Sequence, residues 1–303
     1  MDLAALMAER PIVLDGGLAT ELERQGQDLS DDLWSARLLR DDPAAVVEAH
    51  LAFLRAGAEV STTASYQASV QGFAAAGIDA RGTRLLLHRS VELAREAGER
   101  YAAETGRPPG LVAASVGPYG AVLADGSEYR GDYGLDVAEL RAFHRPRLEW
   151  LAEAGPDVLA CETVPCLAEA EALLAEVADL GVLAWLSLTV DGERTRLGEP
   201  AAEAFLMARD VASVVAVGVN CCDPGDLAPA LVDAVSRSGR PAVAYPNSGE
   251  AWDGMARRWL GEPGFRPGAV RSWLAAGARL VGGCCRVGPE RIAAVAAEVA
   301  AVG

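Results

Sequence analysis

The chain has no lysine: all 27 of its Lys and Arg residues are arginine. Without a side-chain amine no Schiff base can form on the protein, which excludes lysine-dependent aldolase chemistry and an internal pyridoxal-phosphate linkage. A P-loop, whose lysine reaches the phosphates, is excluded with them. Histidine is nearly as scarce, with only His50, His88 and His144, and no H-E-x-x-H is present. All three fall within helical patterns away from strand ends, which assigns them structural roles. Asparagine occurs only as Asn220 and Asn247; coding bias accounts for both shortages. Positive charge is short too. The net charge of −16 disfavours a nucleic acid or an anionic membrane surface as partner. Although 51% of residues are hydrophobic, no run approaches the roughly 20 apolar residues of a membrane span. The opening "MDLAALMAER" is acidic and short, unlike a signal peptide. The expectation is a soluble, cytoplasmic protein whose partners are small molecules and whose oligomeric state is open, a monomer being compatible.

What the chain does have is a set of short apolar runs, each followed by a helical pattern. They are 11–16, 58–65, 110–117, 157–163, 182–189, 214–221, 241–247 and 278–285. Near-continuous apolar strands indicate a sheet covered on both faces. Between them lie amphipathic helices such as 43–56, with Asp42 as cap, Pro43 in the first turn and Gly57 beyond the end. Val47, His50, Leu51 and Leu54 share one face there. Eight strands alternating with helices predict an α/β fold, a single (β/α)8 TIM barrel spanning residues 1–303. The rival is a doubly wound open sheet, but no G-x-G-x-x-G follows the first strand. The longest irregular stretch, 118–134, follows the third strand and reads as a lid over the barrel mouth. A second irregular stretch, 247–265, follows the seventh.

In such a barrel, active-site groups collect at the C-terminal ends of the strands. Asp15 ends the first strand and Glu162 and Thr163 the fourth; Asn220 and Cys221 end the sixth, Asn247 the seventh, and Cys284 and Cys285 the eighth. Adjacent cysteines make a poor disulfide, because the bridge needs their Cα atoms further apart than one relaxed peptide link puts them. Three thiolates leave one position of a tetrahedral zinc open, the arrangement of a catalytic site. Successive strand side chains face opposite ways, so the vicinal pair needs a break in the pleat, which Gly282 and Gly283 permit. Spacing does not choose between Cys221 and Cys222 as third ligand, and a vicinal dithiol redox sensor is the competing reading. Cys161 and Cys166 read as packing. Glu162 follows an apolar strand, where an unpaired charge is costly, so a bound ammonium is a fitting partner. Gly16 and Gly17 offer backbone N–H groups to a substrate carboxylate. Carboxylates for an amine and amides for a carboxylate together describe an amino-acid pocket, with Trp34 as core or contact.

The motifs "LDGGLATELERQG", "GVNC" and "GGCCR" resemble the homocysteine S-methyltransferase family, above all its bacterial S-methylmethionine-dependent members. "TASYQAS", "SVGPYGAVLADGSEYRGDY", "FHRPR", "ACET" and "YPNSGE" extend the likeness over nearly the whole chain. The resemblance implies a zinc-dependent (β/α)8 barrel with Cys221, Cys284 and Cys285 as Zn2+ ligands. It implies homocysteine held by Asp15, Gly16, Gly17 and Glu162, with Trp34 near the substrates. Asn247 matches a position that in some relatives approaches the metal when substrate is absent. The implied reaction moves a methyl group from a sulfonium donor, S-methylmethionine or S-adenosylmethionine, to homocysteine, giving methionine. A betaine-dependent enzyme is the runner-up; from another class, a zinc-storage or thiol-sensing protein would not need the amino-acid pocket.

Overall fold

The computed structural model describes residues 3–29, 34–253, 258–261 and 268–302, excepting the side chains of Trp34, 251–253 and 258–260. Each apolar run becomes a strand. They are β1 (Ile12–Val13), β2 (Val60–Thr62), β3 (Leu111–Val116), β4 (Val158–Val164), β5 (Ala184–Leu188), β6 (Val214–Asn220), β7 (Ala242–Tyr245) and β8 (Ala278–Val281). All pairings are parallel, in the order β1-β8-β7-β6-β5-β4-β3-β2. A parallel bridge between Leu14 and Val60 joins the two ends and closes the barrel.

Strand periodicity sorts the apolar residues into two layers. Ile12, Leu14, Leu111, Ala113, Val158, Ala160, Trp185 and Leu280 fill the barrel interior, which Leu3 and Met7 of the helix Leu3–Glu9 join. The alternate residues Val13, Val112, Ala114, Leu159 and Leu186 pack outward against the helices. The helix expected at 43–56 runs Pro43–Arg55; Asp42 accepts from the Ala45 N–H at 3.1 Å, and Val47, His50, Leu51 and Leu54 are buried. No helix among the described residues is long and apolar enough to cross a membrane.

The stretch 118–134 is more ordered than the sequence implies. It holds a short helix, Tyr119–Leu123, and a 3-10 turn, Ser127–Tyr129. Of the second irregular stretch, Ala251–Asp253 pairs antiparallel with Arg258–Leu260, and 254–257 and 262–265 lie outside the described residues.

Candidate metal centre

β6 ends at Asn220, and Cys221 then takes φ 50°, a left-handed conformation unusual for a residue with a Cβ. β8 ends at Val281, so Cys284 and Cys285 stand outside the pleat and their thiols can converge. Cys221 Sγ lies 2.6 Å from Cys284 Sγ and 3.9 Å from Cys285 Sγ; Cys284 and Cys285 sulfurs are 3.9 Å apart. Zn–S bonds of about 2.3 Å in a tetrahedron place sulfurs about 3.8 Å apart. Two edges match, and the 2.6 Å edge would have to lengthen to admit an ion. The donor set is soft and suits zinc or another thiophilic metal.

The backbone holds this trio from three strands. Cys221 N–H donates to Tyr245 O at 3.2 Å, and Cys284 N–H to Pro246 O at 2.6 Å. Cys285 N–H donates to the Asn247 side-chain oxygen at 3.1 Å, while Asn247 N–H reaches Cys222 O at 3.0 Å. Asn247 therefore ties the β6, β7 and β8 ends together. The pleat breaks at the two glycines before the thiols, where the sequence led us to expect it. Neither Gly282 nor Gly283 has positive φ. A Cβ on Gly282 would lie 2.6 Å from Asp15 O, and one on Gly283 would lie 2.5 Å from the Val287 side chain. They also permit close approach of neighbouring chain.

Within the trio, hydrogen bonds from Cys221 and Cys284 draw the Cys285 thiol well below its usual range. Cys284 is pushed up by its bonds to Cys221 and Cys285. With Cys285 drawn down and Cys284 pushed up, a bound cation is what would let all three ionise. Cys222 is buried in the outer core and stands apart from the cluster, and Cys161 and Cys166 are buried packing residues.

Two buried carboxylates share the same end of the barrel. Asp15 accepts from Thr62 N–H at 2.6 Å, Thr62 Oγ1 at 2.9 Å and Tyr245 OH at 2.8 Å. Burial outweighs those bonds and pushes its carboxyl up to about 7. Glu162 receives Ser115 Oγ on Oε1, its one side-chain hydrogen bond among the described residues, and burial pushes it up to about 8. Next to it Thr163 has φ 60°, at an irregularity in the β4–β5 register. The amide of Asn220 clamps that residue, accepting from Thr163 N–H at 2.7 Å and donating to Thr163 Oγ1 at 2.8 Å. The conformation costs on the order of 1–3 kcal/mol, which such a clamp over-determines.

The stretch 118–134 does lie over this rim. Tyr129 stands by the trio, its hydroxyl favouring the Cys285 thiolate, and the Arg196 guanidinium lies 5.8 Å from its ring. Arg196 also donates to Thr189 Oγ1 at 3.2 Å, and Thr189 donates to Cys221 O at 3.2 Å. The root of the lid is fixed from behind by "FHRPR". Glu169 Oε1 accepts Tyr119 N–H at 2.6 Å and His144 Nε2 at 2.8 Å. Arg147 donates to Gly117 O and lies 2.8 Å from His144 Nδ1.

The family model described as homocysteine S-methyltransferase matches residues 12–299. The chain belongs to the homocysteine S-methyltransferase family. It is 47% identical to the homocysteine S-methyltransferase of Escherichia coli, over 98% of each chain. It is 43% identical to homocysteine S-methyltransferase YbgG of Bacillus subtilis, over 94% of this chain and 93% of that one. The metallated crystal form of the E. coli homocysteine methyltransferase MmuM superposes with a TM-score of 0.88 at 45% identity, covering 97% of this chain and 98% of that one. The apo form gives 0.77 at 38% identity, covering 95% of each.

Against that family, the site residues read from sequence fall as follows. Cys221, Cys284, Cys285, Asp15, Glu162 and Asn247 occupy one end of the barrel, and Trp34 opens the 3-10 turn Trp34–Arg37, its side chain lying outside the description. The Gly17 N–H donates to Val287 O at 2.9 Å, so it is not free for a substrate carboxylate. A Cβ on Gly17 would lie 2.6 Å from Cys284 O, and one on Gly16 would overlap the Phe53 ring and Val287 O. These glycines let the first loop pack beneath the thiol loop. Arg286, unassigned from sequence, pairs with Glu250 at 2.8 Å. Sequence reasoning gave no role to Ser115, Tyr245 or Glu128 and did not see the Asn220–Thr163 clamp; the signal available was that Ser115 and Glu128 lie in "SVGPYGAVLADGSEYRGDY" and Tyr245 in "YPNSGE".

Proposed function

We propose that the protein transfers a methyl group from a sulfonium donor, S-methylmethionine or S-adenosylmethionine, to the thiol of homocysteine, giving methionine. The observation that carries this reading is the convergence of three thiols beside two buried carboxylates at one barrel end. Cys221, Cys284 and Cys285 would hold Zn2+. When bound, zinc supplies deprotonation of a coordinating substrate thiol at neutral pH.

The chain's own groups do the rest. Glu162, with Oε2 open, and Asp15 meet the homocysteine ammonium, each yielding its proton as the cation arrives. The homocysteine sulfur attacks the methyl carbon while the bond from that carbon to the donor sulfur breaks. The electron pair stays on the donor, which leaves as a neutral thioether, so no general acid is required. That fits the histidines: burial draws His50 and His144 down to about 4, holding both neutral. Positioning and exclusion of water by the lid supply the catalysis. Asn247 orients Cys285, and Trp34 contacts the substrates. Residues 1–303 then form one homocysteine-binding barrel domain, working in the reducing cytoplasm that six free thiols require.

The test incubates zinc-loaded protein with homocysteine and, separately, S-methylmethionine, S-adenosylmethionine or betaine, and measures methionine. Product is expected with a sulfonium and not with betaine; none from either sulfonium overturns the reading. Cys285→Ala should lose bound zinc and turnover together.

A further inference from the structure

The lid carries a carboxylate that no assigned role uses. Glu128 sits in the turn Ser127–Tyr129, and its Oε2 is buried with no hydrogen-bond partner. An orphaned buried carboxylate oxygen is costly, roughly 1–3 kcal/mol or more. The adjacent Arg130 does not relieve it, being engaged with Ser127 Oγ at 2.6 Å and Asp125 at 3.4 Å. Glu128 immediately precedes Tyr129 in that turn, and Tyr129 is the lid residue whose hydroxyl reaches the Cys285 thiol.

A second acceptor nearby is in the same condition. Gln67 Oε1 is buried without a partner, while Gln67 Nε2 donates at 2.9 Å to Ala121 O in the lid helix. That helix packs on the turn that bears Glu128, so closely that a Cβ on Gly120 would overlap Glu128 N. Two acceptors without donors call for N–H groups. A sulfonium centre has none, and betaine has none. The α-ammonium of an amino-acid donor has three.

We propose that Glu128, with Gln67 bonded to the same lid, binds the α-ammonium of the methyl donor and so selects amino-acid sulfonium donors over betaine. This rests on the sulfonium reading above. Asp15 and Glu162 serve the acceptor's ammonium, and Glu128 serves the donor's from the lid. A charge-assisted hydrogen bond of this kind is worth roughly tenfold to a hundredfold in affinity.

The experiment compares wild type, Glu128→Gln and Glu128→Asp at saturating homocysteine, with S-methylmethionine and with its des-amino analogue, 4-(dimethylsulfonio)butanoate. Glu128→Gln should raise the KM for S-methylmethionine tenfold or more, with Glu128→Asp recovering part of it. The KM for the des-amino donor, the KM for homocysteine and the zinc content should stay within twofold. An equal rise for both donors, or no rise for S-methylmethionine, overturns the proposal. Wild-type methionine formation in the same assay is the separate check on the sulfonium reading: its absence sinks that reading, whatever the variants do.

Discussion

Glu162 shows how one buried side chain makes the protein's behaviour depend on pH. Burial holds its folded pKa at about 8, above the ordinary glutamate value of 4.5. Between those values the folded state holds more protons than the unfolded chain, so stability falls as pH rises across that window and the loss is complete above it. Asp15, at about 7, acts with the same sign over a narrower range. Ligand-free Glu162→Gln should therefore show a melting temperature that declines less than wild type between about pH 5 and pH 8. The same variant should bind homocysteine at least tenfold more weakly, since the neutral amide gives the ammonium no counter-charge. Melting curves across pH and homocysteine KM check the two halves; an unchanged pH slope would return the Glu162 pKa to the ordinary range.

Among the elements, the lid connects fold to chemistry. Its root is pinned by Glu169, His144 and Arg147 from two outer helices, Val137–Glu153 and Leu167–Leu180, and its turn meets the thiols through Tyr129. Gly120 is the contact that sets the turn's height, because Glu128 N, Ser127 C and the Tyr133 ring occupy the space a Cβ there would need. Gly120→Ala must push the turn outward. Its expected signature is a several-fold higher KM for the donor with zinc content and homocysteine KM unchanged. Metal analysis beside steady-state kinetics distinguishes this from general unfolding. The buried His144 explains why "FHRPR" reads as structural: the histidine bridges Glu169 and Arg147 and stands behind the lid, outside the chemistry.

At the scale of the molecule, the metal site joins strands that are not neighbours in sequence. Cys221 and Cys285 are 64 residues apart, and β7 lies between their strands in the sheet. An ion held there binds the folded state and not the unfolded chain. At a free concentration of about 100 Kd it contributes about 2.7 kcal/mol. For a domain of this size that corresponds to roughly 4 °C in melting temperature. Chelation should lower the calorimetric Tm by that amount, and zinc should restore it. Cys221→Ala should melt at the chelated value with no response to zinc.

Local pattern and side-chain chemistry were enough for one part of this architecture. Apolar runs of strand length followed by helical periods set eight β-strands and their order, and the position of the lid followed from its length between β3 and the next helix. The thiols, Asp15 and Glu162 were legible because polar groups ending apolar strands are costly without a purpose. The tertiary structure alone decided which groups hold them. Thr163 meets Asn220 across 57 residues, Ser115 meets Glu162 across 47, and Tyr245 meets Asp15 across 230. Those pairings depend on the register of neighbouring strands and on barrel closure, which periodicity does not encode. The glycines make the same point: sequence marked Gly17, Gly282 and Gly283 as special, and only packing against Cys284 O, Asp15 O and Val287 gave the reason.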